Sequence, residues 1–186
     1  MAFEIVEAGL QEVDAARQQI TAIYRAAFTP PPYSLDDRDI TNFSRTFARH
    51  NRREDFRCVL ARQTVDGILV GFAYGYTSLP GQWWREVVAR ELSPQAAQRW
   101  LAHAFEFVEL AVEPAFQGRG LGGCLHDRLL NGLPHRTAVL STIQGETAAI
   151  HLYRKRSWIT IQPGFLFPGN AQPYLILGKA LEEPRR

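Results

Sequence analysis

Four glycines, at positions 118, 120, 122 and 123, lie in the segment PAFQGRGLGGCLHDRLL, residues 114–130, where a helix is predicted to begin. Glycine costs about 1 kcal/mol relative to alanine inside a helix, so the cluster needs a reason. The first turn of a helix has backbone N–H groups without intrahelical acceptors and a partial positive charge, and glycines let a phosphate approach these donors. Arg119 adds a positive side chain. The alternative is a tight strand-to-helix turn in which glycine only permits close packing.

This segment can be compared with two standard phosphate-binding loops. The P-loop requires a lysine followed by serine or threonine, and no such pair follows these glycines. The dinucleotide pattern G-x-G-x-x-G is matched by Gly118, Gly120 and Gly123. A Rossmann unit would begin the fold and carry an acid about 20 residues further on, but RTAVLST contains none. A nucleotide-dependent oxidoreductase is therefore the more distant alternative.

Two carboxylates interrupt the apolar segment AFEFVELAV, residues 104–112. Strand alternation predicts that Glu106 and Glu109 point to opposite faces unless a bulge intervenes. A carboxylate is seldom buried without a partner or a task, so one of the two is a candidate base. The alternative is that both are exposed strand carboxylates.

The elements that must position these residues are read from hydrophobic periodicity and turn signals. The predicted order is β-α-α-β-β-β-α-β-α-β-β, a mixed α/β fold with a sheet covered by helices. One helix is predicted over LQEVDAARQQITAIYRAAF and another from Leu35 to His50, and the turn VDG predicts a hairpin. The segment PGQWWREVVARELSPQAAQRW is less regular and suggests a helical insertion without clear boundaries. The helix after the glycines is expected to continue to about Leu133.

Composition is that of an ordinary globular chain. The 186 residues are 46% hydrophobic and 22% charged, which predicts one domain over residues 1–186. The formal charge of +2, from 21 basic and 19 acidic residues, does not indicate nucleic-acid binding. The N-terminus MAFEIVEAGL lacks the features of a signal peptide, and no long apolar run indicates a membrane span, so we expect a cytoplasmic protein. Cys58 and Cys124 are expected to be buried thiols rather than a disulfide.

The glycine segment and a later helix together resemble the GCN5-related N-acetyltransferase (GNAT) superfamily. Its acyl-CoA motif has a strand ending in L-x-V-x-P, followed by Q/R-x-x-G-x-G/A at a helix start. The matching residues here are Leu110, Val112, Pro114, Gln117, Gly120 and Gly122. The helix TAAIHLYRKRSW resembles the family's A-I-x-L-Y element through Ala149, Ile150, Leu152 and Tyr153. The likeness covers the chain from about Phe56 onward, and the first two helices more loosely.

The chain departs from the family pattern near this later helix. The family often has an asparagine where this chain has Glu146, and a Gly-Phe pair where it has Ser157 and Trp158. The first departure affects any role of an asparagine amide near the cofactor, and neither affects the phosphate loop.

The resemblance implies acetyl-CoA as cosubstrate, no metal, and a GNAT-like, mostly antiparallel sheet. It also implies that backbone groups of Leu110, Ala111 and Val112 hold the pantetheine arm. The pyrophosphate would be held by the amides of Gln117, Gly118, Arg119, Gly120, Leu121, Gly122 and Gly123. A diphosphate is chemically suited to a helix start with unobstructed N–H donors, which agrees with this second assignment.

Acyl transfer to an amine needs a deprotonated amine, a polarised carbonyl and a proton for the leaving thiolate. Tyr153 is the candidate proton donor, because a phenol is neutral at pH 7. Without the resemblance, its spacing beside Ala149 and Leu152 favours a core aromatic. Glu106 lies where the superfamily often has its base and ranks before Glu109. Proton loss to water is the alternative, since proximity alone supplies much of the rate.

The amine acceptor is less defined. The segments FTPPPYS and GQWWRE place Phe28, Tyr33, Trp83 and Trp84 in predicted loops, where aromatics can form binding-site walls or cover the core. The resemblance places the first of these loops beside the acceptor. A polyamine, an aminoglycoside, an amino-acid derivative and a peptide lysine all stay open. The five histidines show no metal-ligand spacing.

The expected function is thus direct transfer of an acetyl group from acetyl-CoA to a small-molecule or peptide amine. We expect neither nucleic acid nor membrane as a partner, and a homodimer stays open. The alternatives are a transferase for a longer acyl chain and an acyl-CoA-binding module of the same fold that does not catalyse transfer.

Overall fold

The computed structural model describes residues 2–181, within which the chain forms seven strands and seven α-helices. The strands are β1 (Phe3–Ala8), β2 (Arg57–Gln63), β3 (Leu69–Thr77), β4 (Ala104–Val112), β5 (Thr137–Ile143), β6 (Ile159–Phe165) and β7 (Tyr174–Ala180). The helices are α1 (Leu10–Ala15), α2 (Arg17–Phe28), α3 (Asp37–His50), α4 (Trp83–Glu91), α5 (Pro94–Leu101), α6 (Leu121–Leu130) and α7 (Ala148–Lys155). A short 3₁₀ turn, Pro114–Phe116, lies between β4 and α6.

The strands form a mostly antiparallel sheet of order β1-β2-β3-β4-β5-β7-β6. β1 pairs with β2 from Phe3↔Gln63 to Ala8↔Cys58, and β5 pairs with β7 from Thr137↔Ala180 to Ile143↔Tyr174. β4 and β5 are parallel. The predicted mixed α/β class with a mostly antiparallel sheet is confirmed, and the seven strands occur in the predicted chain order.

The described residues group into two compact units. Unit 1 holds the chain up to Tyr76 together with Glu109–Asn131, and unit 2 holds Thr77–Val108 together with the chain from Gly132 onward. The single domain predicted from length and composition stays a prediction.

In unit 1, two helices cover β3 through alternate residues. Phe72 and Tyr74 contact Phe43 and Phe47 of α3, with ring centroids 6.1 and 5.0 Å apart. Gly71 lies on the opposite face of β3, where an added Cβ would lie 3.1 Å from Leu125 Cδ1 of α6. Successive strand residues point to opposite faces, so α3 and α6 pack on the two sides of β3.

In unit 2, the core is built around two tryptophans. Trp84 and Trp100 are buried in a cluster with residues of α4, α5 and the strands. A Cβ on Gly178 would lie 2.6 Å from the Trp100 ring, so β7 needs glycine there for the indole to pack. The Trp84 Nε1–H donates to Ser141 Oγ at 3.1 Å, which satisfies its polar atom inside the core.

Several predicted helix boundaries were wrong. The single helix predicted over residues 10–28 is interrupted at Ala16, which ends α1 and precedes α2. The second helix begins at Asp37 rather than Leu35, because Asp36 caps it by accepting from the backbone of Arg38 and Asp39. The helix after the glycines ends at Leu130 rather than Leu133, and Gly132 follows with a φ of +72°.

The irregular segment after β3 resolves into α4 and α5. Ser93 accepts from the Ala96 N–H and Pro94 occupies the first turn, a standard helix start.

The expectation of two buried cysteines was wrong for Cys124, which is exposed on α6. Cys58 is buried on β2, and this burial, with a smaller contribution from Glu12, raises the pKa of its thiol to about 12. Within residues 2–181, no helix is both long and apolar enough to cross a membrane.

Candidate active site

The glycine loop of unit 1 has a backbone that requires glycine at two positions. Gly118 has a φ of +73° and Gly120 a φ of +82°, both in the left-handed region that side chains rarely adopt. An ideal Cβ at either position would meet no other atom within 4 Å. Backbone conformation, rather than crowding by the protein, therefore requires these glycines, and the space beside them is open.

The start of α6 presents backbone donors to that open space. Gly120 is its N-cap residue, and the Cys124 N–H donates to the Gly120 carbonyl at 3.1 Å. The N–H groups of Leu121, Gly122 and Gly123 precede this first intrahelical bond. Among the described residues, no side chain caps α6, as is also the case for α1, α2 and α4, whereas Asp36, Ser93 and Thr147 cap α3, α5 and α7. The geometry suits an anion at the helix start.

Two side chains hold the loop in place. Gln117 donates from Nε2 to the Val112 carbonyl at 2.9 Å, which links the loop to the end of β4. Arg119 donates to the Ala115 carbonyl at 3.2 Å, and its guanidinium lies 5.4 Å from the centre of the Phe116 ring. Arg119 is thus held against the preceding turn while it adds positive charge to the loop.

The end of β4 contains the predicted pantetheine-binding residues. Ala111 and Val112 are buried, and Leu110 is half-buried. The parallel register between β4 and β5 runs from Ala104↔Thr137 to Glu106↔Val139, whereas β4 itself continues to Val112.

The two candidate bases differ in environment. Glu106 is 4% exposed, in a run of four buried residues, Ala104–Phe107. Glu109 as a whole residue is only half-buried, yet its carboxyl group is desolvated, which raises the pKa of that group to about 8. A 3.3 Å hydrogen bond from the Leu110 N–H opposes this rise. Because a base must be ionised to accept a proton, Glu109 would serve this role best at alkaline pH.

Tyr153 lies in α7 of unit 2 and is 7% exposed. Its ring is edge-on to Phe107, at 6.2 Å between centroids, and to Trp158, at 5.6 Å. Trp158 thus occupies the position of the family's phenylalanine and packs on the candidate acid. Phe107 follows Glu106 directly in β4, and both residues belong to unit 2 together with Tyr153.

The predicted acceptor-binding aromatics do not all lie in loops, so that expectation was wrong. Trp83 and Trp84 form the first turn of α4, and Phe28 is the last residue of α2. Trp84 belongs to the core, which argues against contact with a substrate. Trp83 is 58% exposed and stacks on Phe167 at 5.6 Å. Phe28 and Tyr33 contact each other at 4.7 Å and are both half-buried.

One group of residues was missed from the sequence. His50, Arg53 and Tyr76 meet just after the end of α3, although no local motif connects them.

Within the described part of the chain, no cluster of three or more histidine, cysteine or carboxylate side chains could hold a metal ion.

Comparison with known proteins assigns the family. A family model described as "Acetyltransferase (GNAT) family" matches residues 17–158, and this chain belongs to that family. A GCN5-like protein acetyltransferase from Mycobacterium tuberculosis is 39% identical over 129 residues, which are 65% of this chain and 63% of that protein. The chain thus matches less than two thirds of the length of that relative.

Solved structures show the same fold. The ribosomal-protein-S18-alanine N-acetyltransferase of Escherichia coli aligns with a TM-score of 0.64 at 17% identity, over 99% of this chain and 97% of the other. The PaiA N-acetyltransferase of Thermoplasma acidophilum, solved in complex with coenzyme A, aligns with a TM-score of 0.62 at 12% identity, over 97% and 100%.

Proposed function

We propose that this protein transfers the acetyl group of acetyl-CoA directly to an amine. The observation that carries the proposal is the start of α6, where Gly120 has left-handed backbone geometry and three N–H groups precede the first intrahelical hydrogen bond. Such a helix start binds phosphate groups. The chain belongs to a family of acetyltransferases, which supports CoA as the ligand over other phosphate-bearing molecules.

The residues present fit this cosubstrate. The open space beside Gly118 and Gly120 leaves room for the diphosphate, with the amides of Gly118–Gly123 as donors. The Gln117 amide, which the sequence also predicted as a donor, instead donates to the Pro114 carbonyl at 3.2 Å. The backbone of Leu110–Val112 would hold the pantetheine arm. When bound, acetyl-CoA supplies an acetyl thioester whose carbonyl carbon is open to attack by an amine.

Side chains of the protein then accept the proton of the amine and donate a proton to the thiolate. We assign Glu106 as the base that accepts a proton from the amine, with Glu109 as the second candidate and water as the third. We assign the Tyr153 phenol as the acid that protonates the departing thiolate, since an ordinary phenol is protonated at neutral pH. The contacts of Tyr153 with Phe107 and Trp158 fix its ring, as positioned acid catalysis requires.

The acceptor is proposed to be a small-molecule or peptide amine. The name of the mycobacterial relative, a protein acetyltransferase, supports including lysine peptides in any acceptor screen.

A ligand panel tests the assignment of the cosubstrate. Thermal unfolding of the protein would be measured with acetyl-CoA, CoA, a long-chain acyl-CoA, NAD and ATP, because a ligand that binds only the folded state raises its stability. We expect stabilisation by acetyl-CoA and CoA that exceeds any effect of NAD or ATP. Greater stabilisation by NAD would contradict the proposal, and a preference for the long chain would favour the transferase of longer acyl groups.

A further inference from the structure

Arg53 lies over the ring of Tyr76, with its guanidinium carbon 4.4 Å from the ring centroid. His50 contacts the same ring edge-on at 4.9 Å, and its Nδ1 lies 3.3 Å from the Tyr74 hydroxyl oxygen. All four residues belong to unit 1. A guanidinium stacked on an aromatic face keeps its N–H groups in the plane of the fork, where they can donate in pairs to an anion.

The backbone that carries Arg53 is fixed at several points. Asn51 donates its backbone N–H to the Phe47 carbonyl, and its buried side chain donates to Asp14 Oδ1 at 3.0 Å. The Arg53 N–H donates to the His50 carbonyl at 2.9 Å, and the Arg53 carbonyl accepts from the Phe56 N–H at 3.2 Å. The backbone at Arg53 is therefore fixed before any ligand arrives, which reduces the entropy cost of binding.

Arg53 is not ion-paired with a carboxylate of the described residues, although Glu54 and Asp55 follow it in the sequence. In the described part of the chain, neither Arg53 nor its neighbours Arg49 and Arg52 form an ion pair within 4.0 Å. Burial, followed by the charges of Arg53 and Arg49, lowers the pKa of His50 to about 3. The neutral imidazole thus lies in a positive environment that an anion would complement.

A continuous row of aromatic contacts joins this position to the predicted acceptor residues. It passes through pairs of rings whose centroids lie 3.7 to 6.0 Å apart: Tyr33–Phe28, Phe28–Tyr24, Tyr24–Phe43, Phe43–Phe47, Phe47–Tyr74 and Tyr74–His50. Phe28 and Tyr33, at one end of the row, were predicted as acceptor walls. His50, at the other end, contacts the Tyr76 ring on which Arg53 lies, and the rings of Phe43, Phe47 and Tyr74 between the two ends are buried.

We propose that Arg53, stacked on Tyr76 beside His50, binds an anionic group, a carboxylate or a phosphate, carried by the amine acceptor. This inference rests on the proposed function and narrows its substrate class. Among the acceptors left open by the sequence, it favours amino-acid derivatives and disfavours polyamines and aminoglycosides, because polycations would be repelled by the arginines.

The test follows the ring signals of His50 by NMR, assigned with the His50→Gln variant, in protein saturated with CoA. The probes are 4-aminobutyrate, its neutral amide 4-aminobutyramide, phosphoethanolamine and spermidine. We expect a saturable shift with 4-aminobutyrate or phosphoethanolamine. The amide and spermidine are expected to bind at least about tenfold more weakly. The two anionic probes distinguish a carboxylate from a phosphate.

Two matched variants assign the effect. Arg53→Met keeps an apolar chain over Tyr76 but removes the charge, and it is expected to weaken the anionic probe about tenfold or more. Arg52→Met, one residue away on an exposed side chain, is expected to bind the probe as the wild type does. If Arg53→Met unfolds, Arg53→Lys replaces it, since lysine keeps the charge but lacks the planar fork.

Equal binding of the acid and the amide, no saturable shift with either anionic probe, or wild-type binding by the Arg53 variant would each overturn the inference. The affinity for acetyl-CoA is measured separately and is expected to be unchanged in Arg53→Met. Wild-type protein that fails to bind acetyl-CoA would instead contradict the proposed function, so the two failures are distinguishable.

Discussion

Gln117 donates a 2.9 Å hydrogen bond from Nε2 to the carbonyl oxygen of Val112, the last residue of β4. The bond joins the two backbone segments that are proposed to hold the cosubstrate, the strand end and the loop before α6. In the family motif, glutamine or arginine occupies this position, and both carry side-chain N–H donors. The residue therefore has a positioning role that its place in a phosphate loop does not by itself reveal.

Gly120→Asp is expected to abolish measurable binding of CoA in a folded protein. The new carboxylate would lie beside the proposed diphosphate and repel it. Calorimetry of CoA binding measures the effect. Gly120→Asn is the matched control, because asparagine has nearly the same shape and tolerates left-handed backbone equally well, but is neutral.

The difference between these two variants isolates charge from backbone strain. Gly67 also has a positive φ, of +69°, and open space around its Cβ position, so Gly67→Asp reports the cost of strain away from the loop. Equal CoA affinity in Gly120→Asp and Gly120→Asn would contradict the proposal that this loop binds the diphosphate.

Tyr153→Phe is expected to slow acyl transfer by about ten- to a hundredfold or more, the range of positioned acid catalysis. The ring would still pack against Phe107 and Trp158, so the folded structure should persist. Single-turnover transfer is the measurement, because slow product release cannot hide the chemical step there. Tyr174→Phe is the control, since it removes a phenol elsewhere in unit 2 that accepts from Asn170 at 3.2 Å. A wild-type single-turnover rate in Tyr153→Phe would make Tyr153 a core aromatic only.

Glu106→Gln is expected to reduce kcat with little change in acetyl-CoA affinity, and to remove or shift the acidic limb of the rate profile. Glu109→Gln is the matched comparison in the same strand. If Glu109 is the base instead, its variant carries the loss, and the limb in the wild type lies near its pKa of about 8. Should neither variant alter the profile, water is the proton acceptor.

Glu109 also predicts a dependence of stability on pH. Its carboxyl group has a pKa of about 8 in the folded chain, raised by burial from an ordinary value of 4.5. Between these values the unfolded chain releases the proton while the folded chain keeps it, so the free energy of unfolding falls as pH rises. Glu109→Gln has no carboxyl group at this position, so its free energy of unfolding does not fall for this reason.

Denaturant unfolding at about pH 5 and about pH 8 measures the difference between Glu109→Gln and wild type. The variant should gain stability relative to wild type as pH increases. His50 titrates in both chains and cancels in this comparison. A difference that does not change with pH would show that the Glu109 carboxyl is not desolvated.

The strands and the glycine loop were predictable because their signals are local. The hairpin turn VDG, the apolar run of β4 and the start of α6 each follow from neighbouring residues. Strand alternation did not determine the exposure of Glu106, because β4 is buried on both faces from Ala104 to Phe107. The start of α5 was signalled by Ser93 and Pro94, which the hydrophobic pattern around it obscured.

The remaining features depend on tertiary contacts. Trp83 and Trp84 are neighbours in sequence, yet one is exposed and the other belongs to the core, because successive residues of a helix point in different directions. The contact between Arg53 and Tyr76 joins the turn after α3 to β3, across residues far apart in the chain. Hydrophobic periodicity carries no information about such a pair.

The most direct test of the central claim measures both products of one reaction. The protein would be incubated with acetyl-CoA and a set of amines that includes amino-acid derivatives, polyamines and lysine peptides. Released thiol and N-acetylated amine would be quantified by absorbance and mass spectrometry. We expect at least one amine to be acetylated with one thiol released per product, and the rate to fall in Tyr153→Phe. Tight binding of acetyl-CoA without an N-acetylated product from any of these amines would contradict the account and favour an acyl-CoA-binding module.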